Sequence, residues 1–413
     1  MISYKKALSI LIKNKIKKEN EMINSKNSSN RICAKNIYSP TDYPSGNNTA
    51  FDGFAINSKE TNILKKIKQK KFKIIKTIAA GDNPNIKKIK KFSAVEVMTG
   101  AIIQKPFDTV IPIEQIKVVK SKQKVKCILI NKKIKKNEFI RFKASDYKKG
   151  EIILKKGQLI EPKHILAMKT LGVKKVNVKK KINIIFYTTG NEITNKEQIP
   201  PWKVRNSNSF YLNSLTKKMP VTFKEKNILR DNDEKKFRKE LMRNIKSKAD
   251  IIVTSGAVSA GKYDFIPKIV KKFKLLSYFK GVAIRPGKPI TFAKLRKNKV
   301  FFGLPGNPIS SAACFRFFVV PFLFNSLEMK KEKPIFAKLK NSFIKKKFFT
   351  RFIKGKLETT KKGIVEFNVL KGQESFRINS LTKANSWGVF NSGKSYFKKG
   401  NVIECYPSVP FLI

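Results

Sequence analysis

Apolar and polar positions along this chain follow two different rhythms. Between about residues 50 and 140, short apolar runs at 72–78, 110–113 and 125–130 alternate with turns, which predicts a β-rich unit. From Lys181 onward the rhythm lengthens. The run 182–187 is apolar at every position but Asn183, as a parallel strand buried on both faces requires. A helix is expected at 209–218, a strand at 221–228, and a helix at 233–246 that opens on acidic residues. A second buried strand is expected at 251–254, a further helix from Asp264, a strand at 300–304, and a long apolar helix from Asn307 to about Phe324. This alternation predicts a central doubly wound α/β domain, whose ligands bind beyond the carboxyl ends of the strands. An amphipathic helix is expected at 7–16 and another helix at 162–171, closed by Gly172. Residues from about 331 return to short strands and turns, which predicts a small C-terminal β-barrel-like unit. The expected division is a mixed linker domain (20–48 and 141–178), a β-rich domain (49–140), the α/β domain (1–19 and 179–328) and the C-terminal domain (329–413).

Three loops fall where such a sheet places its ligands. Thr188-Thr189-Gly190-Asn191-Glu192 follows the first parallel strand and offers the Glu192 carboxylate. The stretch 254–261 follows the second; Ser255, Gly256, Ala257, Ser259 and Gly261 supply small residues, amides and two hydroxyls that can wrap an anion, and Asp264 comes just after. Pro305-Gly306-Asn307-Pro308 follows the last, with Asn307 suited to cap the next helix and Pro308 to its first position. Between the latter two lies Arg285-Pro286-Gly287-Lys288-Pro289, two cations on a turn stiffened by prolines, which reads as an anion clamp. Carboxylates are scarce, so Asp52, Asp231 and Asp264, each in a turn or at an expected element end, are candidates for holding Mg²⁺, which needs only one or two acids beside waters and phosphate oxygens.

Composition narrows the classes. A chain of 413 residues exceeds one compact core. The formal charge of +63 would suggest nucleic acid, yet only eleven of the 91 basic residues are Arg, and the Lys residues are scattered rather than clustered. That pattern argues against a specific nucleic-acid interface, while still drawing small anions. Four cysteines without a CxxC pair argue for a reducing compartment and against a zinc site. His164, the single histidine, sits in an apolar helical pattern and reads as structural. No N-terminal signal is visible, and the apolar stretch 314–324 carries Arg316 and Pro321; a cytoplasmic protein without a membrane span is expected.

Taken together and in order, the segments TAFDGFA (49–55), VMTGA (97–101), FDTVIPIE (107–114), TTGNEI (188–193), NSN (206–208), TSGAVSAG (254–261), RPGKP (285–289) and LPGNP (304–308) resemble the molybdopterin molybdenumtransferases of the MoeA type, related to the gephyrin E domain. The resemblance runs nearly end to end and includes a weaker stretch around Ser375. It implies a MoaB/MogA-like α/β domain in a homodimer whose cleft is shared between subunits. The implied reaction consumes adenylylated molybdopterin and molybdate with Mg²⁺ and yields molybdenum cofactor and AMP, with contact to the molybdopterin adenylyltransferase. Carried over by motif, Asp52, Thr99, Glu192, Asp264 and Lys288 would act in catalysis, Asp52 and Asp264 also on the metal, with Asp52 and Thr99 coming from the partner. Asp231, Ser255, Gly256, Ala257, Ser259, Gly261, Arg285, Pro305, Gly306, Asn307 and Ser375 would hold substrate. Three positions depart from the pattern: Ala257 for a second glycine, Asn206 for aspartate and Arg285 for lysine. Competing readings are the adenylyltransferase step, a non-catalytic scaffold or anion-binding protein, and a nucleic-acid-binding protein.

Overall fold

The computed structural model describes residues 1–120, 126–258, 265–273, 275–296 and 298–410. At its centre is a six-stranded sheet in the order Val221–Glu225, Ile182–Thr188, Ile251–Ser255, Lys299–Leu304, Thr291–Arg296, Ser277–Lys280. The first four strands are parallel and the last two antiparallel. Successive strand residues point to opposite faces, and here both faces are covered. Ile184, Phe186, Ile251, Val253, Val300 and Phe302 join one core with the helices Asn208–Thr216 and 308–326. Ile185, Tyr187, Ile252 and Phe301 join the other with Glu234–Lys246 and Ile266–Lys271. That is why the strand sequences are apolar without alternation. The helix Glu234–Lys246 buries Phe237, Leu241 and Ile245, spaced four apart on one stripe, and places Glu234 in its first turn and Arg243 and Lys246 in its last. The N-terminal helix Tyr4–Lys13 packs Ala7 and Leu11 into the first core.

Four details differ from the sequence expectation. The N-terminal helix, expected at 7–16, spans Tyr4–Lys13. The strand expected to reach 228 stops at Glu225. The two antiparallel strands, 277–280 and 291–296, were not foreseen as such; they flank the expected clamp as a hairpin. The helix from Pro308 is continuous to Ser326 but passes through one widened turn, Phe315–Val319. Pro321 has no amide to return to Phe317, and a wider turn is one way to absorb the missing bond. This run is long and apolar enough to cross a membrane, yet 89% of it is buried inside the protein, as a core helix.

The remaining units are mostly β. Gly53–Ile56 lies between Thr109–Pro112 and Ser93–Val97 in a second six-stranded sheet, and a side chain at Gly53 would collide with the Ile111 carbonyl. The strand pair Asn20–Asn24 and Lys175–Lys179 packs with the helix Pro162–Thr170, where His164 Nδ1 accepts the Glu161 amide (3.0 Å) as a helix cap. At the C-terminus Thr350–Thr359 pairs with both Val365–Val369 and Ser386–Phe390, closing five strands into a small barrel around Ile353, Phe367 and Phe390. Several contacts fix the barrel to the α/β domain, a strand pairing and a buried arginine among them. Ile284 and Arg285 pair in parallel with Thr350 and Arg351. The buried Arg316 guanidinium forks onto Glu332 (2.9 and 2.6 Å) and donates from Nε to the Pro407 carbonyl (3.0 Å).

Candidate anion-binding and active site

The loops after the parallel strands are laced to one another through backbone and small polar groups. Thr189 donates its amide to Ser255 O (2.9 Å), and Gly256 donates its own to Leu304 O (2.9 Å). Gly256 has φ +97°, and a Cβ there would strike the Thr189 hydroxyl; Gly306 would lie 3.5 Å from it with a Cβ of its own. At position 256 only glycine allows this approach, whereas a Cβ at Gly306 would make ordinary contact. The Arg230 guanidinium gathers the carbonyls of Gly190, Asn191 and Ile193 (3.1, 3.2 and 2.8 Å), so the loop that presents Glu192 is held from below. Asp231 follows, its amide on Asn191 Oδ1 (3.1 Å). Glu192 is exposed and Asp231 half-buried.

Two hydrogen-bonding expectations change. The Ser255 hydroxyl is buried: it accepts from Asn208 Nδ2 (2.6 Å) and donates to Pro305 O (3.3 Å). It therefore stitches two loops, and the amides nearby are the donors left for an anion. Asn307 occupies the N-cap position of the helix from Pro308 but makes no side-chain cap bond. Its Nδ2 instead donates to Ser375 Oγ (3.2 Å) in the C-terminal domain, 68 residues away. The helix amides at that end keep their unpartnered character. Ser259, Gly261 and Asp264 lie outside the described residues.

Ala257 has φ +50°. A left-handed alanine costs about 1–2 kcal/mol, whereas glycine gives back about 0.4–1 kcal/mol through its freer unfolded chain. Ala257→Gly is therefore expected to stabilise the protein by about 0.5–1 kcal/mol in denaturant unfolding; a loss of stability would show that the loop gains more from the methyl group than it spends on the backbone.

The proline turn sits on the helix behind these loops. Gly287 has φ +103°, and a Cβ there would run into Cys314 Sγ. Val282 N to Lys288 O (2.9 Å) and Ile290 N to Gly287 O (3.1 Å) close the turn and leave Arg285 and Lys288 exposed. Arg285 lies over the Phe349 ring (4.8 Å) and opposite Arg351 in the strand register. Burial first, and then the charge of Arg285, hold the Arg351 pKa below its ordinary value. The buried Arg351 Nε has no hydrogen-bond partner in the protein. Two arginines paired on neighbouring strands, close enough for one to lower the pKa of the other, supply the chemistry of an oxyanion site. Sequence reading missed Arg351. The available signal was its type, because an arginine is the exception in so lysine-rich a chain.

A second constellation lies in the β-rich domain. Asp52 Oδ1 accepts both the amide (2.6 Å) and the hydroxyl (2.7 Å) of Thr99, 47 residues away. These bonds, the amide first, hold the exposed Asp52 carboxyl below the usual carboxylate range. Neither residue bonds to the loops of the α/β domain among the described residues. Asn206 is buried and donates to Asn195 Oδ1 (3.0 Å) and Glu225 Oε1 (2.7 Å). An aspartate there would set two carboxylates against each other, so the amide makes an attraction out of a repulsion.

Comparisons with known proteins cover nearly the whole chain. A family model described as the MoeA N-terminal region (domain I and II) matches residues 2–172, a probable molybdopterin binding domain matches 185–325, and the MoeA C-terminal region (domain IV) matches 337–408. A molybdopterin molybdenumtransferase of Staphylococcus epidermidis is 32% identical over 410 residues, covering 98% of this chain and 94% of the relative. One from Haemophilus influenzae is 29% identical, covering 94% of each. A crystal structure of a molybdopterin biosynthesis MoeA protein from Pyrococcus horikoshii superposes with a TM-score of 0.80 at 25% identity over 99% of both chains.

Proposed function

Since this chain belongs to the molybdopterin molybdenumtransferases and serves molybdenum cofactor biosynthesis by molybdenum insertion, we propose that it joins molybdate to adenylylated molybdopterin and releases AMP, in the cytoplasm. One observation carries the assignment of the substrate site: Arg285 and Arg351 are partners on adjacent strands, and the charge of one lowers the pKa of the other. A tetrahedral oxyanion satisfies both guanidiniums and relieves their repulsion. The amides of Ala257 and of the turn before Pro308 take the phosphates, with Lys288 beside them as electrostatic stabiliser. Glu192 and Asp231 rim the same loops and orient the polar edge of the pterin.

The acids of the β-rich domain complete the site from a second copy of the chain, in a homodimer with a shared cleft. The donor set fits Mg²⁺: Asp52 is ionised and exposed and commits one oxygen to Thr99, and this cation needs few carboxylates. Asp52 would hold it, with Asp264 as the second carboxylate that the family resemblance supplies. When bound, the cation would neutralise charge on the phosphoanhydride. Contact with the molybdopterin adenylyltransferase would hand over the adenylylated substrate without its release.

The test is AMP release from adenylylated molybdopterin, with and without molybdate and Mg²⁺. Release should require molybdate and be promoted by Mg²⁺. Arg351→Ala should raise the half-saturating molybdate concentration about 10- to 100-fold, as expected for charge-assisted hydrogen bonds of about 1.5–3 kcal/mol. AMP release independent of molybdate would refute the reaction, and an unchanged molybdate response in Arg351→Ala would refute the site.

A further inference from the structure

The strand that carries Arg351 holds a second cation that the reaction does not use. Lys354 is 1% exposed, within the wall between the barrel and the α/β domain. Next to it in sequence, Ile353 points into the barrel core and Phe352 into the α/β core. Across the ladder Lys354 pairs with the fully buried Trp387. An aliphatic residue would suit such surroundings, and a buried ammonium is costly unless its protons are satisfied. They are: Nζ donates to the carbonyls of Gly372 (2.9 Å), Glu374 (3.4 Å) and Arg377 (3.0 Å).

These three carbonyls belong to one loop, and Ser375 lies among them. The loop is bound further by Gln373, whose Nε2 donates to Lys354 O (2.8 Å) and whose Oε1 accepts the Lys354 amide (3.0 Å). Ser380 Oγ donates to Gly372 O (2.6 Å). From this loop Ser375 Oγ accepts Asn307 Nδ2 at the helix end beside the Gly256 loop. Charged groups facing the ammonium are Glu374 and Arg351, and Glu374 is ion-paired with Arg377 (3.3 Å). Burial, with Arg351 adding to it, pushes the Lys354 pKa down to about 8. The charge is thus kept at neutral pH, at a place where burial works against it.

We propose that Lys354 is a positioning residue for the oxyanion site: its buried ammonium gathers the 372–377 loop and so holds Ser375 against Asn307. The inference rests on the reading of Arg285 and Arg351 as the molybdate site. Without the cation the loop loses its three-way tie, Ser375 leaves Asn307, and the substrate end of the helix is no longer braced from the barrel side. Arg351 keeps its place in the ladder, so the chemistry persists once substrate is bound.

The experiment is a double-mutant cycle with Lys354→Met and Ser375→Ala, read by calorimetric molybdate binding and by steady-state AMP release. Each single variant should weaken molybdate binding by about tenfold, and Lys354→Met should raise the molybdate KM by the same factor with kcat within about twofold of wild type. The double variant should be no worse than Lys354→Met alone, because both changes cut the same tie. Additive losses, or a fall in kcat without a change in KM, would overturn the proposal. Should Lys354→Met not fold, Ser375→Ala decides: wild-type affinity in that variant overturns it as well. The two readings separate cleanly. If wild type binds no molybdate, or Arg351→Ala binds it normally, the site assignment fails; if those results hold and Lys354→Met binds normally, only the positioning role fails.

Discussion

Replacing Asp52 by asparagine is expected to lower AMP release at least 100-fold while leaving the unfolding midpoint unchanged. The substitution keeps an oxygen acceptor for the amide and hydroxyl of Thr99, the two bonds that orient the side chain. What it removes is the charge. Asp52 is exposed and its carboxyl is held below the ordinary range, so it stays ionised throughout the working pH. A preorganised charge placed where a reaction develops charge is worth about 10²- to 10³-fold in rate. Because the folded pKa is depressed, acidification through the ordinary carboxylate range should leave this group ionised, and activity should fall only at lower pH. Turnover in Asp52→Asn within threefold of wild type would remove Asp52 from the catalytic set. Mixing Asp52→Asn with a variant disabled at Arg351 offers a check on the shared cleft: hybrid dimers should regain one working site, whereas sites built within one chain would not recover.

Arg316→Met should cost about 3–5 kcal/mol in chemical denaturation, the magnitude expected when one partner of a buried ion pair is removed. Arg316 is 1% exposed and spends its fork on Glu332 and its Nε on the Pro407 carbonyl. Its guanidinium also lies over the Tyr406 ring (5.5 Å). Removing it leaves the Glu332 carboxylate, itself mostly covered, and the Pro407 carbonyl without their partner. The penalty comes from that stranded charge more than from the lost attraction. Arg316→Met combined with Glu332→Leu should therefore recover most of the loss. A single-variant cost under about 1 kcal/mol, or a double variant no better than the single, would contradict this account. Since the fork ties the widened turn of the core helix to the linker and last strand of the barrel, the single variant should also loosen the barrel, with increased hydrogen exchange in Ile335–Leu339 and Val402–Pro407.

The α/β core was legible because its signal is local. A strand buried on both faces must be apolar at every position, and Ile182–Thr188, Ile251–Ser255 and Lys299–Leu304 are nearly so. The helix Glu234–Lys246 announced itself through apolar residues four apart and an acidic start. The edge hairpin 277–296 did not, since its strands carry mixed patterns whose pairing depends on the neighbouring strand. At the site, the glycine and proline turns could be read from residue type, because backbone geometry restricts which residues tolerate them. The inward turn of Ser255 could not be read, nor the preference of Asn307 for Ser375 over its own helix.

What the sequence determined on its own, then, was the order of the parallel strands and the helices between them, the loops that follow those strands, and the positions where only small or rigid residues fit. These follow from hydrophobic period and from steric limits within a few residues. What tertiary structure alone decided was partnership: Asp52 with Thr99, Arg285 with Arg351, Lys354 with the Ser375 loop, Arg316 with Glu332. Each of these pairs joins separate elements, and two of the four join separate domains. A polar side chain's role depends on which donors and acceptors the folded chain brings within about 3 Å of it, and no local pattern specifies that.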